Sequence, residues 1–87
     1  MPTYNAKINI QLKEGILDPQ GKAVEHALSS LGFAGMEHVR IGKLIELQVS
    51  EESVNAARKT VDQACQKLLA NPVIEVYNIV IEENGAA

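Results

Sequence analysis

The residues best suited to chemistry are few, and the most unusual group lies in the segment VRIGKLIEL, residues 39–47. Arg40 and Lys43 stand on either side of Gly42, inside an otherwise apolar strand. Glycine in a strand usually marks a bend or a close approach of two backbones. The two cations could therefore bind a phosphate, a carboxylate of a partner, or only water. A nucleotide-binding P-loop is excluded, because it requires Ser or Thr after the lysine and Leu44 stands there.

The other reactive side chains do not form a catalytic group. Cys65 is the only cysteine, so no disulfide can form within the chain. It lies on the apolar stripe of a predicted helix, and we interpret it as a packing residue, since a nucleophile needs exposure and an activating base. His26 and His38 lie on different predicted elements, and we expect both to be solvated. The sequence therefore predicts that this chain alone catalyses nothing.

Composition limits the chain to one small domain. Its 87 residues carry a net charge of −3 and only three aromatic side chains. Nucleic-acid binding is disfavoured, because it needs clustered basic residues and, for RNA-binding sheets, stacking aromatics. No signal peptide or membrane-spanning segment is recognisable, and a cytoplasmic location is expected. We predict a single domain over residues 1–83, followed by a frayed tail at residues 84–87.

The first two elements can be read from their periodicity. Residues 3–12 alternate between apolar and polar side chains, which predicts a strand with one buried face. Asp18 and Pro19 suit the start of a helix, although DPQG also fits a type I turn. The predicted helix covers residues 18–31. Gly32 should end it in a left-handed conformation, with Phe33 packing back on the last turn.

The segment from residue 38 to residue 50 allows two interpretations. Val39, Ile41 and Ile45 share one face with the later apolar residues, and Lys43 is the only polar side chain among them. The segment is either one long strand that bends at Gly42 or two short strands around a tight turn. The unbroken phase favours the bent strand slightly.

The last two elements complete an α+β pattern. Ser50 is the predicted cap of a second helix, which should end at Asn71 and Pro72. Residues 73–81 are apolar on both faces, which predicts a strand that lies centrally or under a second layer. The predicted order is β-α-β(bent or split)-α-β: a two-layer sandwich of one antiparallel sheet with two helices on one face.

Three segments are not explained by these elements alone: LDPQG at residues 17–21, R-x-G-K at residues 40–43, and KLLANPVIE at residues 67–75. In combination they resemble the PurS family, the small subunit of phosphoribosylformylglycinamidine synthase. The resemblance extends from the first strand to Glu83. It implies the PurS-like fold and a role in purine biosynthesis.

The resemblance also implies a division of labour. The complex would be a carbon–nitrogen ligase that uses glutamine as its amide-nitrogen donor. A glutaminase subunit would release ammonia, and a large synthetase subunit would bind ATP and magnesium. The small subunit would hold no cofactor and no catalytic residue. It would bridge the other two as a homodimer or a dimer of dimers and support ammonia transfer.

Candidate interface residues follow from the same segments, and they are Asp18, Gln20, Gly21, Arg40, Gly42, Lys43, Asn71, Tyr77 and Ile79. The sequence does not assign any of them to a particular partner. It also leaves open whether assembly needs nucleotide or glutamine. The alternative function is a stand-alone regulatory module of ferredoxin-like topology that binds a small molecule, since fold alone does not determine function.

Overall fold

The computed structural model describes residues 1–83, and the predicted tail at residues 84–87 lies outside them. The elements follow the predicted order. Their bounds are β1 at Thr3–Leu12, α1 at Pro19–Ser30, β2 at Gly42–Ser50, α2 at Val54–Ala64 and β3 at Glu75–Glu83. A single π-helical turn, Cys65–Leu69, extends α2. No helix in the described part of the chain is long and apolar enough to cross a membrane.

The three strands form one antiparallel sheet in the order β2-β1-β3. Ile8 of β1 lies between Ile45 of β2 and Ile79 of β3, so the apolar positions of all three strands share one face. We call this the inner face. β3 is an edge strand, and the expectation that it lies centrally was wrong. Val76 and Val80, on its other face, are about half exposed.

β2 answers the question about residues 38–50. It is a single strand that begins at Gly42, and no hairpin is present. Residues 37–41 are irregular, and His38 has a positive φ of 57°. Lys43 pairs with Ile10 of β1, which places it on the inner face at the end of the strand, in the phase that the sequence predicts.

The core lies between the inner face and α2. Ile8, Ile10, Val61 and Cys65 are its largest fully buried side chains. The cap of α2 is Ser53, whose Oγ accepts a hydrogen bond from the amide of Ala56 at 3.1 Å. The prediction of Ser50 as the cap was wrong, because pairing with Thr3 keeps Ser50 in β2.

α1 ends as predicted. Gly32 has a φ of 97°, and the amide of Phe33 donates to the carbonyl of Leu28 at 2.9 Å. The amide of Gly32 donates to the carbonyl of Ser29 at 3.1 Å. These two bonds are those of a Schellman motif.

The fold class is α+β with two helices, as predicted, but the helices contribute unequally to the core. α1 buries only Gly21, and none of its side chains belongs to the inner-face cluster. The molecule measures 51 × 32 × 14 Å. A strand of ten residues spans about 33 Å and a helix of twelve about 18 Å. The long axis is therefore explained if α1 continues beyond the sheet. We call residues 18–41 the arm.

Candidate interaction site

The arm is joined to the sheet at Asp18, the residue that caps α1. Its Oδ1 accepts a hydrogen bond from the amide of Gly21 at 2.9 Å, the usual contact of a capping side chain. Its Oδ2 accepts from the amide of Ile41 at 2.8 Å. Asp18 is only 8% exposed. One carboxylate therefore fixes both ends of the arm, and the helix start, not the isolated turn, is the correct interpretation of DPQG.

The charge of Asp18 is stabilised where it stands. The hydrogen bonds from the amides of Gly21 and Ile41 hold the pKa of the Asp18 carboxyl below its ordinary value, and the nearby Arg40 guanidinium acts in the same direction. The Nε atom of Arg40 lies 4.0 Å from Oδ2. Asp18 is thus an anion at neutral pH.

Arg40 itself binds the end of β1. Its Nη2 donates to the carbonyls of Leu12 and Lys13 at 2.8 and 3.1 Å. About one third of its side chain remains exposed. A carboxylate from a partner is therefore not needed to explain this arginine, although the exposed part leaves room for one. Docking of a partner at Arg40 stays a prediction.

Two glycines allow the backbones to approach at this point. A Cβ atom on Gly21 would lie 2.3 Å from the carbonyl oxygen of Val39. A Cβ on Gly42 would lie 2.5 Å from the carbonyl oxygen of Ile10. Any side chain would push these backbones apart, so Gly42 marks the close approach that its position in a strand suggested. We call Asp18, Gly21, Arg40 and Gly42 the clamp.

The sequence separated the clamp residues into two motifs, and the structure brings them together. Glu25 adds a further contact that the sequence did not indicate: its Oε1 accepts from the amide of Val39 at 3.2 Å. Glu25 lies two helical turns after Asp18, which is the only sequence signal for its role. Gln20 and Lys43 are exposed and have no side-chain hydrogen bond among the described residues.

An open groove of about 910 Å³ lies beside the clamp. It runs between the loop after β1 and the return segment of the arm. Three basic and three acidic side chains line it, so its charge favours neither anions nor cations. These are Lys13, Lys22, Arg40, Glu14, Asp18 and Glu25.

Asn71 organises the turn that precedes β3. Its Oδ1 accepts from the amide of Val73 at 3.1 Å, and its own amide donates to the Glu75 carboxylate at 2.7 Å. The amide of Glu75 donates to the carbonyl of Asn71 at 2.7 Å. Asparagine favours such turns because its side chain can bond to the backbone two residues later. The NPVIE motif is therefore explained within this chain.

Tyr77 and Ile79 point toward α2, because they pair with Ile10 and Ile8 on the inner face. The Tyr77 hydroxyl donates to Oδ1 of Asp62 at 2.6 Å, and this bond, together with burial, raises the pKa of Tyr77. Both residues are half-buried. Their role as interface residues stays a prediction, but a charge at either position would disturb the monomer first.

Cys65 lies inside the core with no exposed surface. Burial raises the pKa of its thiol, and the carboxylate of Asp62 adds to the effect. A protonated, inaccessible thiol is a poor nucleophile. Among the described residues, no three His, Cys, Asp or Glu side chains form a group that could hold a metal ion.

The sequence pattern of the PurS family, described as phosphoribosylformylglycinamidine (FGAM) synthase, matches residues 5–83. The chain belongs to the PurS family. The PurS subunit of this synthase from Bacillus subtilis (strain 168) is 48% identical over 80 residues, which cover 92% of this chain and 94% of that protein.

Solved PurS structures share the fold. The crystal structure of Methanocaldococcus jannaschii PurS is similar with a TM-score of 0.83 and 40% identity, over 92% of this chain and 96% of that one. A chain of the Thermotoga maritima PurLQS structure gives a TM-score of 0.86 at 33% identity, over 93% of this chain and 99% of that one. Members of the PurS family therefore resemble this chain over nearly their whole length.

Proposed function

We propose that this chain is the small, non-catalytic subunit of a glutamine- and ATP-dependent phosphoribosylformylglycinamidine synthase. The observation that carries the proposal is the likeness to a chain of the Thermotoga maritima PurLQS structure, which extends over 93% of this chain. The protein would work in purine biosynthesis in the cytoplasm. Its buried, protonated Cys65 is consistent with a subunit that contributes no nucleophile.

In this proposal, the chain bridges a glutaminase subunit and a large synthetase subunit and supports ammonia transfer between them. ATP and magnesium belong to the large subunit. The projecting arm suits a bridging role, because it presents side chains that the chain itself does not cover. Leu31 is 73% exposed, and Phe33 and Met36 are about half exposed. Exposed apolar side chains that lie together usually mark a contact with another protein.

The chain also self-associates in this proposal, as a homodimer or a dimer of dimers. α2 does not fully cover the β2 side of the inner face, since Ile45, Leu47 and Val49 are only half-buried. A chain of this size buries about 60–65% of its unfolded surface. A second copy would cover apolar surface on β2 and on the arm that the monomer leaves exposed.

Reconstitution tests the proposal. Amidine formation is measured with the glutaminase and the large subunit, with and without this chain, using either glutamine or ammonium as the nitrogen donor. We expect that glutamine-dependent turnover requires this chain, because ammonia must pass between two active sites. Ammonia-dependent turnover of the large subunit should proceed without it.

Equal glutamine-dependent turnover in the presence and absence of this chain would contradict the proposal. A matched control uses the Gly35→Ala variant, which changes an open position of the arm and should support full activity. Co-sedimentation of the three proteins, with and without glutamine and nucleotide, shows whether either ligand is needed for assembly.

A further inference from the structure

The two edges of the sheet differ in how they are protected. On β3, the carbonyl of Ile79 accepts a hydrogen bond from Nη1 of Arg58 at 2.9 Å. A charged side chain over an edge strand hinders pairing with another strand. Arg58 therefore protects the β3 edge near its middle.

The β2 edge is open. The amide of Glu51 donates to the carbonyl of Pro2, and the amide of Lys13 donates to that of Ile74. These bonds fix the alternation on β1: even-numbered residues bond toward β2 and odd-numbered residues toward β3. On β2, Ile45 and Leu47 therefore bond to β1. The backbone groups of Leu44, Glu46 and Gln48 point outward, and within residues 1–83 they have no partner.

We propose that this edge pairs with β2 of a second copy, antiparallel, with Leu47 of both copies on the two-fold axis. The inference rests on the self-association proposed above and specifies its surface. Pairing would join the two sheets into one with a continuous inner face. It would satisfy the outward backbone groups of β2 from Leu44 to Ser50.

The side chains select this register. On the inner face, Leu47 lies opposite Leu47 and Ile45 lies opposite Val49 of the second copy. Lys43 lies opposite Glu51, an attractive pair that occurs twice by symmetry. On the outer face, Glu46 lies opposite the uncharged Gln48. Opposite charges and apolar pairs across strands are each stabilising.

Shifting the register by two residues removes these matches. In one direction, Glu46 faces Glu46 of the second copy, and Lys43 faces Val49. In the other direction, Ile45 faces the charged Glu51. A shift by one residue moves the apolar set to the wrong face. Only the register centred on Leu47 combines apolar pairs with opposite charges.

Cysteine cross-linking tests the register. Residues opposite each other in a pair without mutual hydrogen bonds have Cα atoms about 4.5 Å apart, which lies within the range of a disulfide. We expect Leu47→Cys to form a disulfide-linked dimer under mild oxidation. The unsubstituted chain is the control, because Cys65 is buried and should not cross-link.

Ile45→Cys and Val49→Cys are matched variants on the same face. Each lies about 13 Å from its own copy in this register, at about 3.3 Å per residue, and neither should cross-link alone. A mixture of the two variants should give the linked dimer. Lys43→Glu should weaken dimerisation by about tenfold, since two attractive pairs become repulsive. The double variant Lys43→Glu, Glu51→Lys should restore it.

Three results would overturn the inference in distinguishable ways. If the unsubstituted chain sediments as a monomer, self-association itself is wrong. If it sediments as a dimer but Leu47→Cys does not cross-link, only the register and surface are wrong. Self-cross-linking of Ile45→Cys would point to a different register. Circular dichroism of each variant shows that the monomer fold is retained.

Discussion

Asp18 is the residue on which the arrangement of the arm depends most directly. Its two oxygens join the start of α1 to Ile41, which lies 23 positions later in the chain. The bonds favour the ionised form, so the pKa is lower in the folded state than in the unfolded state. A carboxyl group of this kind contributes stability above its unfolded pKa, and this contribution is lost as the pH falls through the folded value.

We predict that Asp18→Asn lowers the free energy of unfolding at pH 7. An asparagine has one acceptor oxygen, so its amide nitrogen would face either the Gly21 or the Ile41 amide, and one contact would be lost. The difference between the variant and the parent should shrink when the pH is lowered below about 4, where the parent carboxylate is itself protonated. Urea unfolding at pH 7 and pH 3 measures both effects.

Glu14→Gln is the control for this comparison, because Glu14 is exposed and has no side-chain hydrogen bond in the described residues. It should leave the unfolding free energy nearly unchanged at both pH values. A constant difference between Asp18→Asn and the parent at pH 7 and pH 3 would mean that the carboxylate charge does not stabilise the clamp.

Cys65 is predicted to matter for packing and not for chemistry. Cys65→Ala removes one buried atom and should cost roughly 1 kcal/mol of unfolding free energy, or somewhat more. Cys65→Ser should cost more, because a buried hydroxyl needs a hydrogen-bond partner. Both variants should support full glutamine-dependent turnover at moderate temperature. Loss of turnover by a folded Cys65→Ala variant would show that the thiol is reactive.

At the scale of elements, the joint between arm and sheet depends on close backbone contact. We predict that Gly21→Ala destabilises the chain by about 1–3 kcal/mol, the usual cost of overpacking, because the new Cβ would meet the Val39 carbonyl. Gly35→Ala is the matched control, since nothing lies within 4 Å of the Cβ it would add. Thermal unfolding of both variants measures the difference. Equal melting temperatures would mean that the joint is loose.

Local signals were sufficient to predict the elements and their faces. Asp18 and Gly32 define the ends of α1 because capping and positive φ are properties of single residues. The phase of β2 follows from strict alternation around Lys43. Ser50 was the wrong cap because Ser53 is equally suitable, and only pairing with Thr3 decides between them.

Contacts between distant parts of the chain could not be predicted in this way. Arg40 binds carbonyls 27 and 28 positions away, and no periodicity records that pairing. The stripe of α1 indicates an amphipathic helix, but it does not specify which surface covers it. The prediction that both helices lie on the sheet assumed that the cover comes from the same chain. The exposure of Leu31 and Phe33 argues against that assumption.

At the scale of the whole molecule, the shape follows from having one helix over the sheet. The structure is only 14 Å thick between its outermost Cα atoms, which fits a sheet with a single helical layer. α2 packs on the inner face, whereas the arm leaves its apolar side chains exposed. Two incomplete apolar surfaces on one small chain are an arrangement that a second copy or a larger subunit can complete.

The prediction for this scale concerns the exposed side of the arm. Leu31→Lys should leave the monomer as stable as the parent, because Leu31 is 73% exposed and a cation near the end of α1 interacts favourably with the helix dipole. The same charge should be costly if Leu31 is buried against another chain. We therefore expect normal urea unfolding of the monomer, a smaller sedimenting species, and reduced glutamine-dependent turnover with ammonia-dependent turnover unchanged. Ser30→Lys, one residue earlier, should match the parent in all three measurements. If Leu31→Lys assembles and turns over like Ser30→Lys, the arm does not use this side chain in an interface.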